Sequence, residues 1–252
     1  MQDMLSSYLD EIFSSVQGEG PWIGERQIFV RFLGCDLHCR YCDTPAAINS
    51  EMRVTGGCRA QRSLDSFDHE IIPNPLTASV LTERCLRLAI PGPFRPILSL
   101  TGGEPLLHAA FLAEWLPQIR ERCGVYLETN GIHEQTMKAL VPLIDVVSMD
   151  FKLPSATGLR SYWEEHRLFL SAAQGKKLFV KAVVTSDTSS ADIVTASELI
   201  AGFTRVIPLI LQPASGALAP EPAALLAFQK TALRITADVR IIPQAHKILK
   251  VP

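Results

Sequence analysis

Short runs of apolar and β-branched residues recur along the chain, and between them the apolar residues are spaced as on one face of a helix. Several runs are apolar throughout, which is typical of strands that are buried on both faces in a parallel sheet. The predicted strands span residues 28–33, 97–101, 125–129, 145–150, 178–185, 206–211 and 239–242. The predicted helices span residues 77–89, 109–122, 134–140, 191–201 and 222–237. This alternation predicts an α/β fold with mostly parallel strands, arranged as a sheet or as a partial (β/α) barrel.

One segment, residues 46–76, interrupts this rhythm. It mixes polar and charged residues, with a glycine pair at 56–57 and two prolines at 73 and 75. Loops of this length in compact domains are usually functional or disordered. We therefore expect a loop or lid that is inserted into a single domain spanning residues 1–252.

Composition and charge narrow the choice of partners. Hydrophobic residues make up 47% of the chain and charged residues 20%, and the net charge is −2. This balance gives no basic surface for nucleic acid or for anionic lipid, so neither is an expected partner. No stretch reaches the roughly 20 apolar residues of a membrane helix, and the acidic start of the chain does not resemble a signal peptide. We expect a cytoplasmic protein, in which clustered thiols serve metal binding or catalysis.

The most informative motif is a group of three cysteines, Cys35, Cys39 and Cys42, within one eight-residue stretch. Thiolates are the usual protein ligands of iron–sulfur clusters, and a four-iron cube normally takes four of them. Three cysteines would therefore leave one iron open to another ligand. The alternative is a structural zinc site, which needs a fourth ligand such as His38 or Cys58. Zinc sites usually pair two separated knuckles, and the absence of a second one in the sequence favours the cluster.

The cysteine spacing, with Tyr41 before the last cysteine, resembles the signature of the radical S-adenosylmethionine (SAM) superfamily. The resemblance implies a [4Fe-4S] cluster that reduces SAM to a 5′-deoxyadenosyl radical, with no catalytic residue beyond the cluster and that radical. The segment 102–105, Gly-Gly-Glu-Pro, resembles the second motif of the superfamily, which binds the amino group of SAM. Its position after a buried strand is the structural context that such a motif requires.

The flanking sequences resemble one family more closely. Residues 11–20 read EIFSSVQGEG, residues 42–45 read CDTP, and residues 244–252 read QAHKILKVP. These segments are similar to the 7-carboxy-7-deazaguanine synthase family, whereas residues 46–96 and 153–176 lie outside the resemblance. The resemblance implies the radical ring contraction of 6-carboxy-5,6,7,8-tetrahydropterin to 7-carboxy-7-deazaguanine in deazapurine (queuosine) biosynthesis, with SAM, the cluster and Mg²⁺ as cofactors.

The same resemblance assigns site residues by motif position. The implied Mg²⁺ ligand is Thr44. The implied SAM contacts are Tyr41, Cys42, Asp43, Gly103, Ser148, Met149, Asp150, Gln212 and Ser215. The implied pterin contacts are Val16, Gln17, Gly18, Arg31, Thr101, His246 and Pro252. A flavodoxin-type electron donor and a homodimer are further implications.

Several of these residues have simpler interpretations. Arg31 could form a buried structural ion pair, and the tail that ends at Pro252 could be frayed. Glu128 and Lys152 could hold SAM or could form salt bridges at the rim of the barrel. At the level of function, the alternatives are a radical SAM activase of a glycyl-radical enzyme and a zinc-binding module without enzymatic activity. The remaining cysteines, Cys58, Cys85 and Cys123, are expected to pack as small hydrophobic residues.

Overall fold

In a computed structural model, residues 5–48, 56–203 and 206–252 are described, and they form an α/β structure around one large sheet. Its strands and those of a small sheet are β1 (Ser6–Ser7), β2 (Leu9–Val16), β3 (Arg26–Phe32), β4 (Cys58–Ser63), β5 (Ser66–Ile72), β6 (Leu76–Thr77), β7 (Ile97–Gly102), β8 (Gly124–Thr129), β9 (Val146–Phe151), β10 (Lys177–Val184), β11 (Leu209–Pro213) and β12 (Val239–Ile241). The α-helices are α1 (Pro45–Ile48), α2 (Ala78–Arg87), α3 (Ala109–Ile119), α4 (Glu134–Leu140), α5 (Pro154–Thr157), α6 (Trp163–Ala172), α7 (Ser190–Ala201), α8 (Pro222–Leu233) and α9 (Ala245–Leu249).

The large sheet has ten strands in the order β12-β11-β10-β9-β8-β7-β3-β2-β4-β5. The seven strands from β12 to β3 are parallel to one another, β2 runs antiparallel to β3, and β4 and β5 form an antiparallel hairpin beside β2. The short β1 and β6 pair separately. The α/β fold with mostly parallel strands, predicted from the apolar runs, is confirmed.

The apolar runs form the core because the parallel strands are buried on both faces, as their sequences predicted. Leu98, Leu100, Val125, Leu127 and Val147 are fully buried or nearly so, and they belong to the main hydrophobic cluster. A smaller cluster, Tyr126, Val146, Phe179 and Ile210, involves the same parallel strands and packs against Trp22. The ring centroids of Trp22 and Phe179 are 5.6 Å apart and the rings are stacked. This contact anchors the turn Gly20–Trp22, which follows β2.

The segment predicted as a loop or lid is different in the structure. Residues 49–55 lie outside the described residues, but the part from residue 58 to residue 72 is the β4–β5 hairpin. The loop prediction is therefore wrong for these residues. They were missed because β4 reads CRAQRS and has no apolar run. It lies between β2 and β5, and its buried residues are Cys58, Ala60 and Gln61, which do not form an apolar pattern.

Candidate active site

Side chains from seven consecutive strands line a single cavity of about 750 Å³. Neighbouring strands lie about 4.8 Å apart, so seven strands in a flat sheet would spread over about 29 Å. The sheet therefore curves around the cavity, as expected for a partial barrel. In the order of the sheet, the strands β2, β3, β7, β8, β9, β10 and β11 each contribute a lining residue. These residues are Phe13, Arg31, Thr101, Glu128, Ser148, Lys181 and Gln212.

The cavity also gathers the residues that the sequence singled out. Its lining includes the three cysteines, Thr44, the pterin contacts Val16, Gln17, Gly18, Arg31, Thr101, His246 and Pro252, and the SAM contacts Tyr41, Asp43, Gly103, Ser148, Asp150, Gln212 and Ser215. Met149 is the predicted site residue that does not line it. Successive side chains on β9 point to opposite faces of the sheet, so Met149 is buried in the core while Ser148 and Asp150 border the cavity.

The cysteine loop connects β3 to α1. Its start is held by the Gly34 N–H, which donates to the Ala47 carbonyl at 2.7 Å, and its middle by the Arg40 N–H, which donates to the Thr157 carbonyl at 3.0 Å. The three thiols are half-buried. Burial raises the pKa of the Cys35 thiol to about 11 and also raises the pKa of Cys39. Metal binding would reverse this shift, because a bound cation favours the thiolate.

The arrangement fits a cluster better than a single ion. Among the described residues, no three His, Cys, Asp or Glu side chains are placed to hold one metal ion. A four-iron cube is wider than one ion, and its thiolate ligands bind separate corners. Of the two candidate fourth zinc ligands, Cys58 is buried in the core on β4, and the exposed His38 does not line the cavity. Cys85 and Cys123 are also buried in this core, as predicted.

The glycine motif packs directly against the cysteine loop. The N–H groups of Gly103 and Glu104 donate to the carbonyls of Phe32 and Gly34, at 3.0 and 2.8 Å. A Cβ atom on Gly103 would lie 1.9 Å from the Gly34 carbonyl oxygen, so only glycine permits this approach. The motif therefore fixes the position of the cysteine loop in addition to bordering the cavity.

Glu104 has a structural role that the sequence did not reveal. Its fully buried carboxylate accepts hydrogen bonds from the Leu106 N–H at 3.0 Å, the Thr129 hydroxyl at 2.9 Å and the Asn130 N–H at 2.7 Å. Burial raises the pKa of this carboxyl group, and the hydrogen bonds oppose that effect. Glu104 thus joins the ends of β7 and β8 below the cavity.

A buried ion pair, Lys181 with Glu19, lies inside the cavity and was missed in the sequence. Glu19 also accepts hydrogen bonds from Gln212 at 3.1 Å and from Gln244 at 2.8 Å. Burial alone would raise the pKa of Glu19, but the charge and hydrogen bond of Lys181 hold it below its ordinary value. The available signal was Lys181 itself, because a lone cation in an apolar strand requires a partner.

The residues Arg31, Lys152 and Glu128 could each either bind a ligand or form a structural contact, and the structure shows the contacts that they make. The Arg31 Nε donates to Glu11 at 2.9 Å, so the structural ion pair exists. The Lys152 Nζ lies 2.9 Å from Asp150, which is the predicted rim salt bridge. Glu128 instead accepts hydrogen bonds from Gln17 at 3.0 Å and from Thr101 at 2.8 Å. It therefore orients two of the implied pterin contacts.

The C-terminal segment is part of the site. The Ala245 N–H donates to the Gly18 carbonyl at 2.8 Å, and the His246 ring lies so close to Gly18 that a Cβ atom there would meet its Nδ1 at 2.0 Å. The Lys247 Nζ lies 2.8 Å from Asp43, which connects α9 to the cysteine loop. These contacts hold the tail against the cavity, and Pro252 lines it.

The site can bind ligands with several polar groups. Its cations, carboxylates and amides surround a volume within the range of about 300–1,000 Å³ that is typical of small-molecule pockets. Three buried oxygens of cavity residues, Tyr41 Oη, Asp150 Oδ1 and Gln212 Oε1, have no hydrogen-bond partner among the described residues. Buried polar atoms are rarely left unpaired. All three residues are implied SAM contacts, so these unpaired polar atoms fit a bound cofactor.

The structure describes no helix that is long and apolar enough to cross a membrane.

Comparisons with known proteins agree with this picture. A family model described as the radical SAM superfamily matches residues 29–167. A 7-carboxy-7-deazaguanine synthase of Geobacter sulfurreducens is 44% identical over 247 residues, which is 96% of this chain and 96% of the relative. One of Methanopyrus kandleri is 34% identical over 243 residues, covering 95% of this chain and 92% of the relative. The crystal structure of QueE from Escherichia coli matches with a TM-score of 0.62 at 22% identity, covering 96% of this chain and 95% of that chain.

Proposed function

Because this chain belongs to the radical SAM superfamily, and within it to the 7-carboxy-7-deazaguanine synthase family, we propose that it converts 6-carboxy-5,6,7,8-tetrahydropterin to 7-carboxy-7-deazaguanine. The reaction would contract the pterin ring with loss of ammonia and would serve deazapurine biosynthesis. The observation that carries the proposal is that the cysteine loop, the glycine motif and the C-terminal proline border one cavity. The activase and zinc-module alternatives gain no support, because the curated relatives bear the synthase name.

Cys35, Cys39 and Cys42 would hold the [4Fe-4S] cluster. When bound, the cluster supplies the electron that cleaves SAM and so generates the radical that takes a hydrogen atom from the substrate. The protein's own contribution is to bind and orient both ligands and to exclude water from them. Gly103, Ser148 and Asp150 support a SAM position next to the cysteine loop, with Tyr41, Asp43, Gln212 and Ser215 around it.

The pterin would occupy the remaining part of the cavity. Arg31 presents a guanidinium group, which suits the substrate carboxylate through paired N–H donors. Gln17 and Thr101 are held in place by Glu128, and Val16, Gly18 and His246 would complete the contacts. The terminal carboxylate of Pro252 would accept hydrogen bonds from the aminopyrimidinone edge of the pterin.

Thr44 is the proposed Mg²⁺ ligand. Its hydroxyl lies 3.4 Å from Asp43 and borders the cavity. A hydroxyl is a hard oxygen donor, and Mg²⁺ commonly takes few protein ligands beside water and substrate. The flavodoxin-type electron donor and the homodimer stay predictions from the family resemblance, and the cytoplasmic location stays a prediction from the sequence.

The test is an anaerobic assay of the protein reconstituted with iron and sulfide. SAM, a reductant, Mg²⁺ and 6-carboxytetrahydropterin are added, and mass spectrometry detects 7-carboxy-7-deazaguanine and 5′-deoxyadenosine. Formation of both compounds supports the proposal. Formation of 5′-deoxyadenosine alone would contradict the assigned substrate, and the absence of both from a protein with an intact cluster would contradict the radical chemistry.

Deleting Pro252 tests the role of the C-terminus. We expect the KM for the pterin to rise about ten-fold, because a hydrogen bond to a charged group contributes about 1.5–3 kcal/mol and about 1.4 kcal/mol corresponds to a factor of ten. SAM cleavage without substrate should stay unchanged. A variant extended by one glycine is the matched comparison, since it keeps Pro252 and moves the carboxylate. An unchanged KM in both variants would remove the terminal carboxylate from the site.

A further inference from the structure

The β4–β5 hairpin, which the sequence motifs do not include, brings a second arginine, Arg59, next to the cavity. In the sheet register, Glu11 on β2 lies beside Arg31 on β3 and beside Arg59 on β4. Side chains that lie side by side on neighbouring strands project from the same face of the sheet. Arg31, Glu11 and Arg59 therefore form one row across three strands, and this row is called the charge row below.

The two arginines share one carboxylate. The Arg31 Nε donates to Oε2 of Glu11 at 2.9 Å, and an Nη group of Arg59 contacts Oε1 of the same side chain. Among the described residues Arg31 hydrogen-bonds to Glu11 alone, through Nε, which leaves its two Nη groups available to a ligand. The guanidinium group also lies over the Phe13 ring, 5.8 Å from its centroid. Glu11 and Phe13 thus define its orientation.

The charge row continues into a second cavity of about 290 Å³. This cavity adjoins the main one, because Phe13, Arg31 and Pro252 line both. Its far wall is formed by the hairpin, through Arg59, Gln61, Phe67 and His69. Arg31 consequently stands at the boundary between the pterin cavity and a pocket that the hairpin builds.

The net charge of the row formed by Arg31, Glu11 and Arg59 indicates a role for Arg59. The charge row carries two cations and one anion, which leaves one positive charge for one ligand carboxylate. Pro252, which carries the terminal carboxylate, also lines both cavities, and that carboxylate would pair with the aminopyrimidinone edge of the pterin. Without Arg59 the row would be neutral, and the Glu11 carboxylate would repel a second carboxylate with less compensation. We infer that Arg59 is a positioning and specificity residue, which holds Glu11 so that Arg31 selects a carboxylated pterin. The inference rests on the proposed function for the identity of the ligand.

The experiment measures carboxylate selectivity by equilibrium binding, so that it does not depend on turnover. The reconstituted protein with SAM is titrated with 6-carboxypterin and with unsubstituted pterin, and pterin fluorescence gives the two Kd values. In Arg59→Met we expect the Kd for 6-carboxypterin to rise about three- to five-fold, which is the scale of a partly exposed ion pair. The Kd for unsubstituted pterin should stay unchanged.

Two further variants test whether the effect depends on the charge and on the position of Arg59. Arg59→Lys keeps the charge and should restore most of the selectivity. Arg62→Met is the matched control, because Arg62 is an exposed arginine on the same strand that lines neither cavity, and it should bind both ligands like the wild type. Equal weakening for the two ligands, an unchanged selectivity in Arg59→Met, or the same effect in Arg62→Met would overturn the inference. Failure of the proposed function would appear separately, as a wild-type protein that forms no product.

Discussion

The parallel part of the sheet, from β3 to β12, and the β2–β4–β5 edge contribute to the site in different ways. The parallel strands are buried on both faces, and they place the cysteine loop and the glycine motif at their carboxyl ends, as the fold class requires. The strands of this edge are less buried, with Phe67 at 65% and Ile71 at 58% exposure, and they add Glu11 and Arg59, which complete the charge row with Arg31 of β3. The shared chemistry of the superfamily thus lies on the buried scaffold, while the edge supplies residues that distinguish substrates.

The largest effect is expected for the cluster ligands on the scaffold. Cys39→Ala should abolish the visible iron–sulfur absorbance and all product formation, because a cube needs its thiolates. Cys123→Ala is the matched control, since this buried cysteine lines neither cavity, and it should retain the absorbance. Normal absorbance and activity in Cys39→Ala would contradict the ligand assignment.

The next effect concerns the contact between the two motifs. In Gly103→Ala the new Cβ must displace the Gly34 carbonyl, so the cysteine loop shifts relative to the cavity. A displacement of about 1 Å can cost roughly 100-fold in rate, and we expect a kcat/KM loss of that order. Gly124→Ala, where the nearest neighbour of the added Cβ is 3.7 Å away, is the control. Comparable losses in both variants would indicate general destabilisation instead of a displaced loop.

Mutations in the parallel strands and mutations at the hairpin edge should differ in their effect on the free energy of unfolding. Phe179→Ala removes a fully buried ring and should lower the free energy of unfolding by about 3–5 kcal/mol. Phe67→Ala removes an exposed ring of the hairpin and should change it by less than about 0.5 kcal/mol. Urea denaturation measures both values. A cost for Phe67→Ala that approaches the cost for Phe179→Ala would show that the edge is part of the cooperative core.

The smallest effect is a pH dependence within the scaffold. His166 is fully buried and stacks on Phe151 with ring centroids 4.8 Å apart, and burial lowers its pKa to about 3. Between pH 6.5 and 3 the unfolded chain therefore binds a proton that the folded protein does not, so acid destabilises the fold. From pH 7.5 to 5.5 this group should cost about 1.4 kcal/mol of unfolding free energy.

Urea denaturation of the cluster-free protein at the two pH values measures this loss. His166→Gln keeps a polar side chain but cannot take up the proton, so the variant should lose about 1.4 kcal/mol less than the wild type over the same interval. Equal losses in the two proteins would show that His166 has an ordinary pKa in the folded state.

The parallel strands could be predicted because continuous apolar runs carry their own signal. Strand β2 was missed because LDEIFSSV mixes polar and apolar positions, and β4 because its sequence is mostly polar. Helix α6 was missed within a segment that alternates charged and aromatic residues. Both strands, β2 and β4, have a partner on each side, and that pairing comes from the fold and not from an apolar pattern of their own.

Site residues could be predicted where they lie in short sequence motifs that resemble those of a known family. The cysteines, the glycine motif and the terminal proline were identified from short segments, and the structure brings them to one cavity. The contacts between Lys181 and Glu19 and between Lys247 and Asp43 join residues that are 162 and 204 positions apart. Such pairs depend on the three-dimensional arrangement, so neither partner alone revealed the other.

The central claim is that Cys35, Cys39 and Cys42 would hold a [4Fe-4S] cluster, which would leave one iron without a protein ligand and open to SAM. Electron paramagnetic resonance of the reduced, reconstituted protein tests it most directly. We expect the signal of a reduced [4Fe-4S] cluster and a clear change in its g values when SAM is added. A cluster signal that is unaffected by saturating SAM would contradict the claim.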